Sequence, residues 1–368
     1  MLKTMAMAAL AALFSGSVTF AQEGPSRTPI PGDASIRAVV ERAVDDFIRP
    51  GYRDFQIATG RLTASMEHLC SKPLPDALAS ARETFSNTAS RWARIEIVRT
   101  GPALLQNRFE RVLFYPDRKS TGLKQVQRLL AKPDEAATDH RNLPEKSVAV
   151  QGLGALEFIL FGTGNEALTT EVESFRCRYG QAVARNIEQI ARELTDLWDE
   201  PDGIQRSWKE PGTDNPLFRN EREVMTALLG ILVHGAEMVR DQRIETFYRG
   251  GDKTTFAKQA ILWRSGNTWT MIEGNIKALQ ELIDVSDMED LLADDLRSII
   301  GSVEFVLKSL LRVTSEMNPD IEVAVSDRAQ REKLDFLLIN GRDLITRLND
   351  QYGGAIGLTS GFSFSDGD

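Results

Sequence analysis

The sequence predicts an all-α protein made of antiparallel helical bundles, and three observations support this fold class. Apolar residues recur at steps of three and four over long stretches, which is typical of amphipathic helices. Strict alternation of apolar and polar residues, the pattern of a half-buried strand, is confined to very short segments. Gly and Pro stand where the apolar stripes end, as they do at helix boundaries. Long helices joined in this way favour antiparallel bundles.

The predicted helices follow from these stripes in chain order. The stripe from Val172 to Leu197 keeps its helical steps throughout, which indicates one long helix. Near the C-terminus the pair Asn340-Gly341 falls inside a stripe, so we expect it within a helix rather than in a turn. The stripes cover residues 36–69, 76–98, 148–161, 172–197, 221–244, 267–283, 290–311 and 334–352.

Two segments indicate that the bundle is duplicated. Residues 148–157 and 227–237 are both rich in Ala, Gly and Leu, and each carries a Glu at the same relative point. This similarity has two explanations. Either the two bundles are duplicated copies that meet across a pseudo-twofold axis, or two helices rich in small residues resemble each other by chance. With the break at the glycines of residues 162–168, we expect an N-terminal bundle over 36–165 and a C-terminal bundle over 166–368.

The N-terminus resembles a secretory signal peptide. Lys3 precedes a short apolar stretch, and Ala21 suits the residue before a cleavage site, so residues 1–21 are predicted to be removed. A membrane anchor is the alternative, but the apolar run is short for a span. Residues 22–35, which contain several Pro and Gly, are predicted to be an exposed leader. The mature chain would then be periplasmic, with no transmembrane segment.

Composition excludes several classes of site. The 368 residues include 44 Lys and Arg against 53 Asp and Glu, a net charge of −9, so we expect no nucleic-acid partner. The chain has 2 Cys and 3 His, too few for a Cys-rich zinc module, a cluster held only by thiolates or an all-histidine cage. In an oxidising compartment Cys70 and Cys177 are expected to form a disulfide, the alternative being two buried thiols.

Five motifs occur in a fixed order along the chain. They are Arg-Trp-Ala-Arg-Ile-Glu at 91–96, Arg-Thr-Gly-Pro at 99–102, Phe-Tyr-Pro-Asp at 114–117, residues 147–157, and Gly-Phe-Ser-Phe-Ser-Asp-Gly-Asp at 361–368. Together they resemble the imelysin family, which is named after an insulin-cleaving membrane protease. The resemblance covers essentially the whole mature chain and implies a duplicated two-domain helical fold, a periplasmic setting and a link to iron uptake.

The hallmark of that family is Gly-x-His-x-x-Glu, and this chain departs from it. Gly152 and Glu157 are in place, but Gly154 stands where the motif has His. The substitution removes an imidazole, and one carboxylate alone is a weak ligand for a transition metal. No His-Glu-x-x-His pattern occurs elsewhere, so we expect no peptidase activity.

A metal site remains possible if the two related helices face each other. His234 and Glu237 lie three residues apart on one helical face, and Glu157 would approach them from the other copy. These ligands suit iron or zinc. There are two alternatives. In the first, His234 packs between helices and forms a hydrogen bond with a neighbouring residue. In the second, an arginine such as Arg91, Arg94 or Arg99 neutralises the carboxylates.

The remaining candidates have simpler interpretations. Arg91 and Arg94 could bind Glu157 or an anionic ligand. Arginines in such a charged run more commonly face solvent or form ion pairs between helices. Trp92 is expected in the core. Asp117 follows Pro116 in a predicted turn and can cap the next helix.

Three functional classes follow. The favoured one is a non-enzymatic component of iron or haem acquisition that binds metal, haem or a partner, such as a periplasmic or outer-membrane iron-uptake protein. The others are an imelysin-type metallopeptidase and a structural scaffold. The missing motif His disfavours the peptidase, and the export signal with the family context favours the first class over the scaffold.

Overall fold

A computed structural model describes residues 30–358, in which every regular element is helical and no β-strand occurs. The predicted signal peptide at 1–21 and the closing motif at 361–368 lie outside the described residues, as do residues 22–29 of the leader. The first helix begins at Asp33, within the predicted leader. No helix among the described residues has the length and apolarity needed to cross a membrane.

The all-α prediction is confirmed, and most predicted stripes match a helix within a few residues. The helices are α1 Asp33–Arg42, α2 Arg49–Ser71, α3 Pro75–Ile95, α4 Arg108–Val112, α5 Thr121–Ala131, α6 Leu153–Phe161, α7 Phe175–Asp199, α8 Ile204–Lys209, α9 Glu221–Glu237, α10 Thr268–Val285, α11 Ser298–Ser315, α12 Ile321–Ser326 and α13 Arg328–Thr346.

Three π-helical segments extend these helices at places where the sequence pattern continues unbroken. Ala43–Ile48 joins α1 to α2, Met238–Ile244 prolongs α9, and Arg347–Gly353 prolongs α13. The first ends two residues before Pro50, which has no backbone N–H to donate within the helix. The predicted stripe 36–69 is therefore one long rod that contains α1 and α2.

Three parts of the sequence prediction differ from the structure. The helix predicted over 148–161 begins only at Leu153, after a 3₁₀ turn at Val148–Val150. The stripe predicted to start at residue 290 becomes α11 only at Ser298, because residues 288–296 form short 3₁₀ turns. This stretch is rich in Asp, whose side chain competes with helical hydrogen bonding. Helix α5 is absent from the prediction because it is short and buries only Gly122 and Val126.

Helix α7 packs along α2, which in turn packs on α3, and this contact crosses the predicted domain limit at 165/166. The limits 36–165 and 166–368, and the duplication itself, stay predictions. Helix α10 packs on both α3 and α11, so it connects the N-terminal helices to the α9, α11 and α13 group. The two halves of the chain thus share one continuous apolar core.

The disulfide prediction is confirmed. Cys70, in the last turn of α2, is bonded to Cys177, in the first turn of α7, with the two Cα atoms 5.5 Å apart. Both residues are buried. Ser174 accepts a hydrogen bond from the Cys177 backbone N–H and so caps α7 at the same point. The bond therefore fixes the register of the two longest packed helices at one end.

Candidate functional site

Helix α6 carries the family-motif residues, and its first turn lies very close to another backbone segment. A Cβ atom at Gly152 would lie 2.4 Å from the carbonyl oxygen of Val112 and 2.6 Å from that of Arg111. Only glycine fits at this approach. Beside it the Arg111 guanidinium donates to the side chains of Gln151 and Asn186, which fixes the start of the helix.

The C-terminal end of α6 is held by two arginines from other helices. Arg176 of α7 donates to the carbonyls of Phe158, Ile159 and Thr163 at 2.7–2.9 Å. Arg82 of α3 donates to the carbonyl of Leu160 at 2.8 Å. Burial lowers the pKa of both guanidinium groups. These cations satisfy carbonyls that a helix end leaves unpaired and complement its dipole.

We expect Arg176→Met to lower the free energy of unfolding by about 1–3 kcal/mol, because it leaves several α6 carbonyls without their donor. Urea unfolding followed by circular dichroism measures this. Arg178→Met is the matched control on the same helix, since Arg178 forms a surface ion pair with Glu135 and its loss should cost under about 1 kcal/mol. Equal losses in the two variants would contradict the assignment of Arg176 as a cap.

Glu157 projects from α6 towards a loop of the C-terminal half and is 4% exposed. Its Oε1 accepts hydrogen bonds from the backbone N–H and the hydroxyl of Ser265, both at 3.0 Å. Its Oε2 lies 3.8 Å from a guanidinium nitrogen of Arg264. Burial raises the pKa of the Glu157 carboxyl, and these donors oppose that effect. The protein itself therefore supplies the partners of this carboxylate.

Gly154 lies one turn before Glu157 and opens on free space. A Cβ atom built there has no heavy atom within 4 Å. It contributes, with Glu157, to the wall of a pocket of about 100 Å³. We call this the Glu157 pocket; its wall also includes Tyr115, Asp117, Trp263 and Arg264. A larger side chain at position 154 would have room to enter it.

The segment around residues 114–117 forms the opposite wall of the Glu157 pocket. Asp117 accepts hydrogen bonds from the backbone N–H groups of Thr121 and Leu123, so it caps α5. The hydroxyl of Tyr115 lies 3.0 Å from the carbonyl oxygen of Gln259, to which it donates. Burial raises the pKa of Tyr115 to about 12. These bonds tie the N-terminal wall to the loop that covers Glu157.

That loop contains a tight turn, Trp263–Ser265, with left-handed backbone on both sides. Leu262 has φ of 47° and Gly266 has φ of 71°. Leucine rarely adopts this conformation, and strained residues of this kind often occur at functional sites. The turn presents Arg264 between two aromatic rings, 4.4 Å from the centroid of Trp263 and 5.5 Å from that of Phe158.

The metal-ligand set predicted from the sequence is not formed. His234 Nδ1 lies 3.0 Å from Glu237 Oε2 within their own helix, whereas Glu157 is bound by the loop turn and faces Arg264. Within residues 30–358, no three His, Cys, Asp or Glu side chains are placed to hold one ion. Next to Glu157 the neighbouring charge is a guanidinium, so this donor set does not fit a metal.

The arginines of the 91–99 segment form ion pairs with residues other than Glu157. Arg94 binds Glu281 of α10 through two contacts of 2.5 and 2.7 Å, Arg91 lies 3.7 Å from Asp54, and Arg99 binds Glu110 at 2.8 Å. Trp92 is fully buried against the rings of Phe55 and Phe109. None of these contacts involves the Glu157 pocket.

Sequence reasoning missed the loop residues that complete this site. These residues, Trp263, Arg264 and Ser265, lie in no helical stripe and are far from Glu157 in the chain, with Ser265 at a separation of 108 positions. The single usable signal was local: Trp263 and Arg264 are followed by Ser265-Gly266, a typical turn pair. That pattern predicts a turn but does not identify what the turn covers.

Comparisons with known proteins agree with this architecture. The Peptidase_M75 family model, described as imelysin, matches residues 48–348. No curated protein matches the chain significantly. An imelysin-like protein from Psychrobacter arcticum 273-4 has a similar crystal structure, with TM-score 0.74 and 17% identity over 90% of this chain and 98% of that one.

A second solved structure, from Parabacteroides distasonis ATCC 8503, is described as a "putative iron-regulated protein A precursor". It has TM-score 0.71 and 15% identity over 89% of this chain and 95% of its own. At these identities the two structures establish the fold alone, while the family model spans most of the sequence. The chain therefore belongs to the imelysin family.

Proposed function

We propose that the chain is an exported, non-enzymatic component of iron or haem acquisition, which binds its ligand or partner protein at the Trp263–Ser265 turn beside Glu157. Membership of the imelysin family supports this, as does the description of the Parabacteroides distasonis structure as an iron-regulated protein. A periplasmic location is part of the proposal. It is supported by the signal-peptide pattern at residues 1–21 and by the word precursor in that neighbour's description.

One observation carries the choice of a binding protein over a metallopeptidase. Position 154 of the motif lacks its imidazole, and the space it would enter is open, while Glu157 is bound by Ser265 and faces Arg264. A catalytic metal needs several ligands and an open position for water. The carboxylate here has a cation from the chain beside it instead. Iron would therefore be carried in chelated form rather than as a bare ion held by Glu157.

The peptidase alternative is tested by incubating the mature protein with insulin and with casein, with and without a chelator. We expect no chelator-sensitive cleavage, because the motif has no group to position a metal-bound water. Product that forms with added Zn²⁺ and disappears with chelator would overturn the non-enzymatic proposal. A second arm titrates haem and ferric citrate. Saturable binding of either supports acquisition, whereas binding of neither contradicts it and favours a scaffold.

The role assigned to Gly154 can be tested by restoring the motif. Gly154→His should increase Zn²⁺ affinity in calorimetry, because imidazole and carboxylate at i and i+3 share one helical face. Gly354→His is the matched control, since position 354 is also open and has no Glu three residues on. If Gly154→His binds no more Zn²⁺ than this control, then the missing imidazole is not what separates this chain from a metal-binding imelysin.

A further inference from the structure

Arg264 is partly buried, and its guanidinium has few partners among the described residues. Its side chain is 20% exposed. Within residues 30–358 its guanidinium donates no hydrogen bond, and its one ion-pair partner is Glu157 Oε2 at 3.8 Å, beyond hydrogen-bond distance. A guanidinium carries five N–H donors, and those of Arg264 are not among the buried polar atoms that lack a partner in the described part of the chain, so they reach open space. Its donors are therefore free for a ligand.

Two aromatic rings orient the Arg264 guanidinium in a way that suits a planar anion. The rings of Trp263 and Phe158 lie at 4.4 and 5.5 Å from its central carbon and restrict its orientation. Burial lowers the pKa of Arg264, and the Glu157 charge opposes this effect. The planar fork of arginine matches a carboxylate in a bidentate arrangement. The turn that carries Arg264 already binds one carboxylate, that of Glu157.

Arg264 also lines a second, larger cavity of about 560 Å³, on the outer side of the Trp263–Ser265 turn. We call it the outer cavity. This volume falls in the range of small-molecule sites, about 300–1,000 Å³. Lys258 stands at its rim, 69% exposed, with its ammonium 5.8 Å from the Trp263 ring and 3.6 Å from Glu322. Asp320 lies on the same wall as Glu322, where its carboxylate caps the Glu322 backbone N–H.

We propose that the outer cavity binds an organic anion through a carboxylate group, which pairs with Arg264 while Trp263 provides an apolar wall and Lys258 a second cation. The acidic wall at Asp320 and Glu322 restricts this contact to the Arg264 side. Glu157 is the competing anion, so it weakens ligand binding rather than contributing to it. The inference rests on the proposed function, since carboxylates are the exposed charges of haem and of citrate-type iron chelates.

Calorimetry with metal-free citrate tests the site apart from iron. Arg264→Met should weaken citrate binding by roughly tenfold or more, because it removes the charge-assisted contact. Arg249→Met is the matched control: Arg249 is exposed, lies 5.0 Å from the Phe256 ring and lines neither cavity. It should leave the affinity unchanged. Glu157→Gln should raise the affinity several-fold. Inorganic phosphate, a non-carboxylate anion, should bind more weakly than citrate.

Haem and its dimethyl ester, followed by absorbance, complete the experiment together with ferric citrate. Esterification removes the carboxylate charges, so the ester should bind more weakly than haem to the parent and equally weakly to Arg264→Met. Circular dichroism confirms that each variant is folded. Citrate binding that survives Arg264→Met, or that falls with Glu157→Gln, overturns the inference.

The outcomes separate this inference from the proposed function. If metal-free citrate binds through Arg264 but neither haem nor ferric citrate binds, the anion site stands and the proposed function fails. If haem binds the parent, its Arg264→Met variant and the ester equally well, the proposed function stands and the carboxylate site fails.

Discussion

Replacing both cysteines by alanine is expected to lower the free energy of unfolding by about 4–5 kcal/mol, one of the two largest effects we predict for this chain. The Cys70–Cys177 bond closes a loop with a sequence separation of 107, and a loop of this length greatly restricts the unfolded chain. Both residues are buried, so the missing sulfur atoms also leave small cavities that add to the loss. Urea unfolding of parent and variant measures the difference.

The parent protein unfolded in the presence of reductant is the control, because it loses the bond without any change of side chain. Its stability should lie close to that of the Cys70→Ala/Cys177→Ala variant, and reductant should have no effect on the variant itself. A variant within about 1 kcal/mol of the oxidised parent would contradict the predicted stabilisation. Intact mass after alkylation in denaturant checks that the parent sample is oxidised.

The sequence predicted those helices whose apolar pattern lies within a single continuous segment of the chain. The stripes at 172–197 and 334–352 match α7 and α13 with its π-helical extension, because apolar spacing within one segment determines which face is buried. The disulfide could be predicted because the chain has two cysteines and a predicted signal peptide. Helix α5 buries too few residues to give a clear apolar stripe, and the Asp residues before α11 interrupt the helix, so the limits of these elements were not predicted.

The candidate site was predicted only in part, for a physical reason. Gly154 and Glu157 were found because the motif is local in sequence. Their partners come from a loop whose position depends on how α10 packs on α3, and apolar periodicity carries no information about that arrangement. The sequence analysis named an arginine of the 91–99 segment as the alternative to a metal ion near Glu157. In the structure Arg264 is nearest to Glu157, while Arg94 is bound to Glu281.

A second buried charge, Glu96, shows how the two halves of the chain are joined. Arg243 lies 2.8 Å from Glu96 Oε1, with the two side chains 2% and 0% exposed. Asn275 of α10 donates to the same oxygen and to the carbonyl of Ala93. The Arg243 guanidinium lies 5.0 Å from the ring of Tyr115, which lines the Glu157 pocket. This pair thus connects α3, the end of α9 and the pocket wall.

Arg243→Met is expected to cost about 3–5 kcal/mol in urea unfolding, because it leaves the Glu96 carboxylate buried without a counter-charge. Glu96→Met/Arg243→Met should recover most of this loss, since replacing both members of a buried pair by apolar side chains is often neutral. Arg328→Met is the control: Arg328 and Glu332 form an exposed pair, 94% and 67% accessible, and its loss should cost under about 1 kcal/mol. If the double variant is as unstable as Arg243→Met, the loss of unfolding free energy comes from lost packing around Arg243 and not from an unpaired Glu96 carboxylate. Recovery in the double variant would instead show that the buried pair adds little net stability.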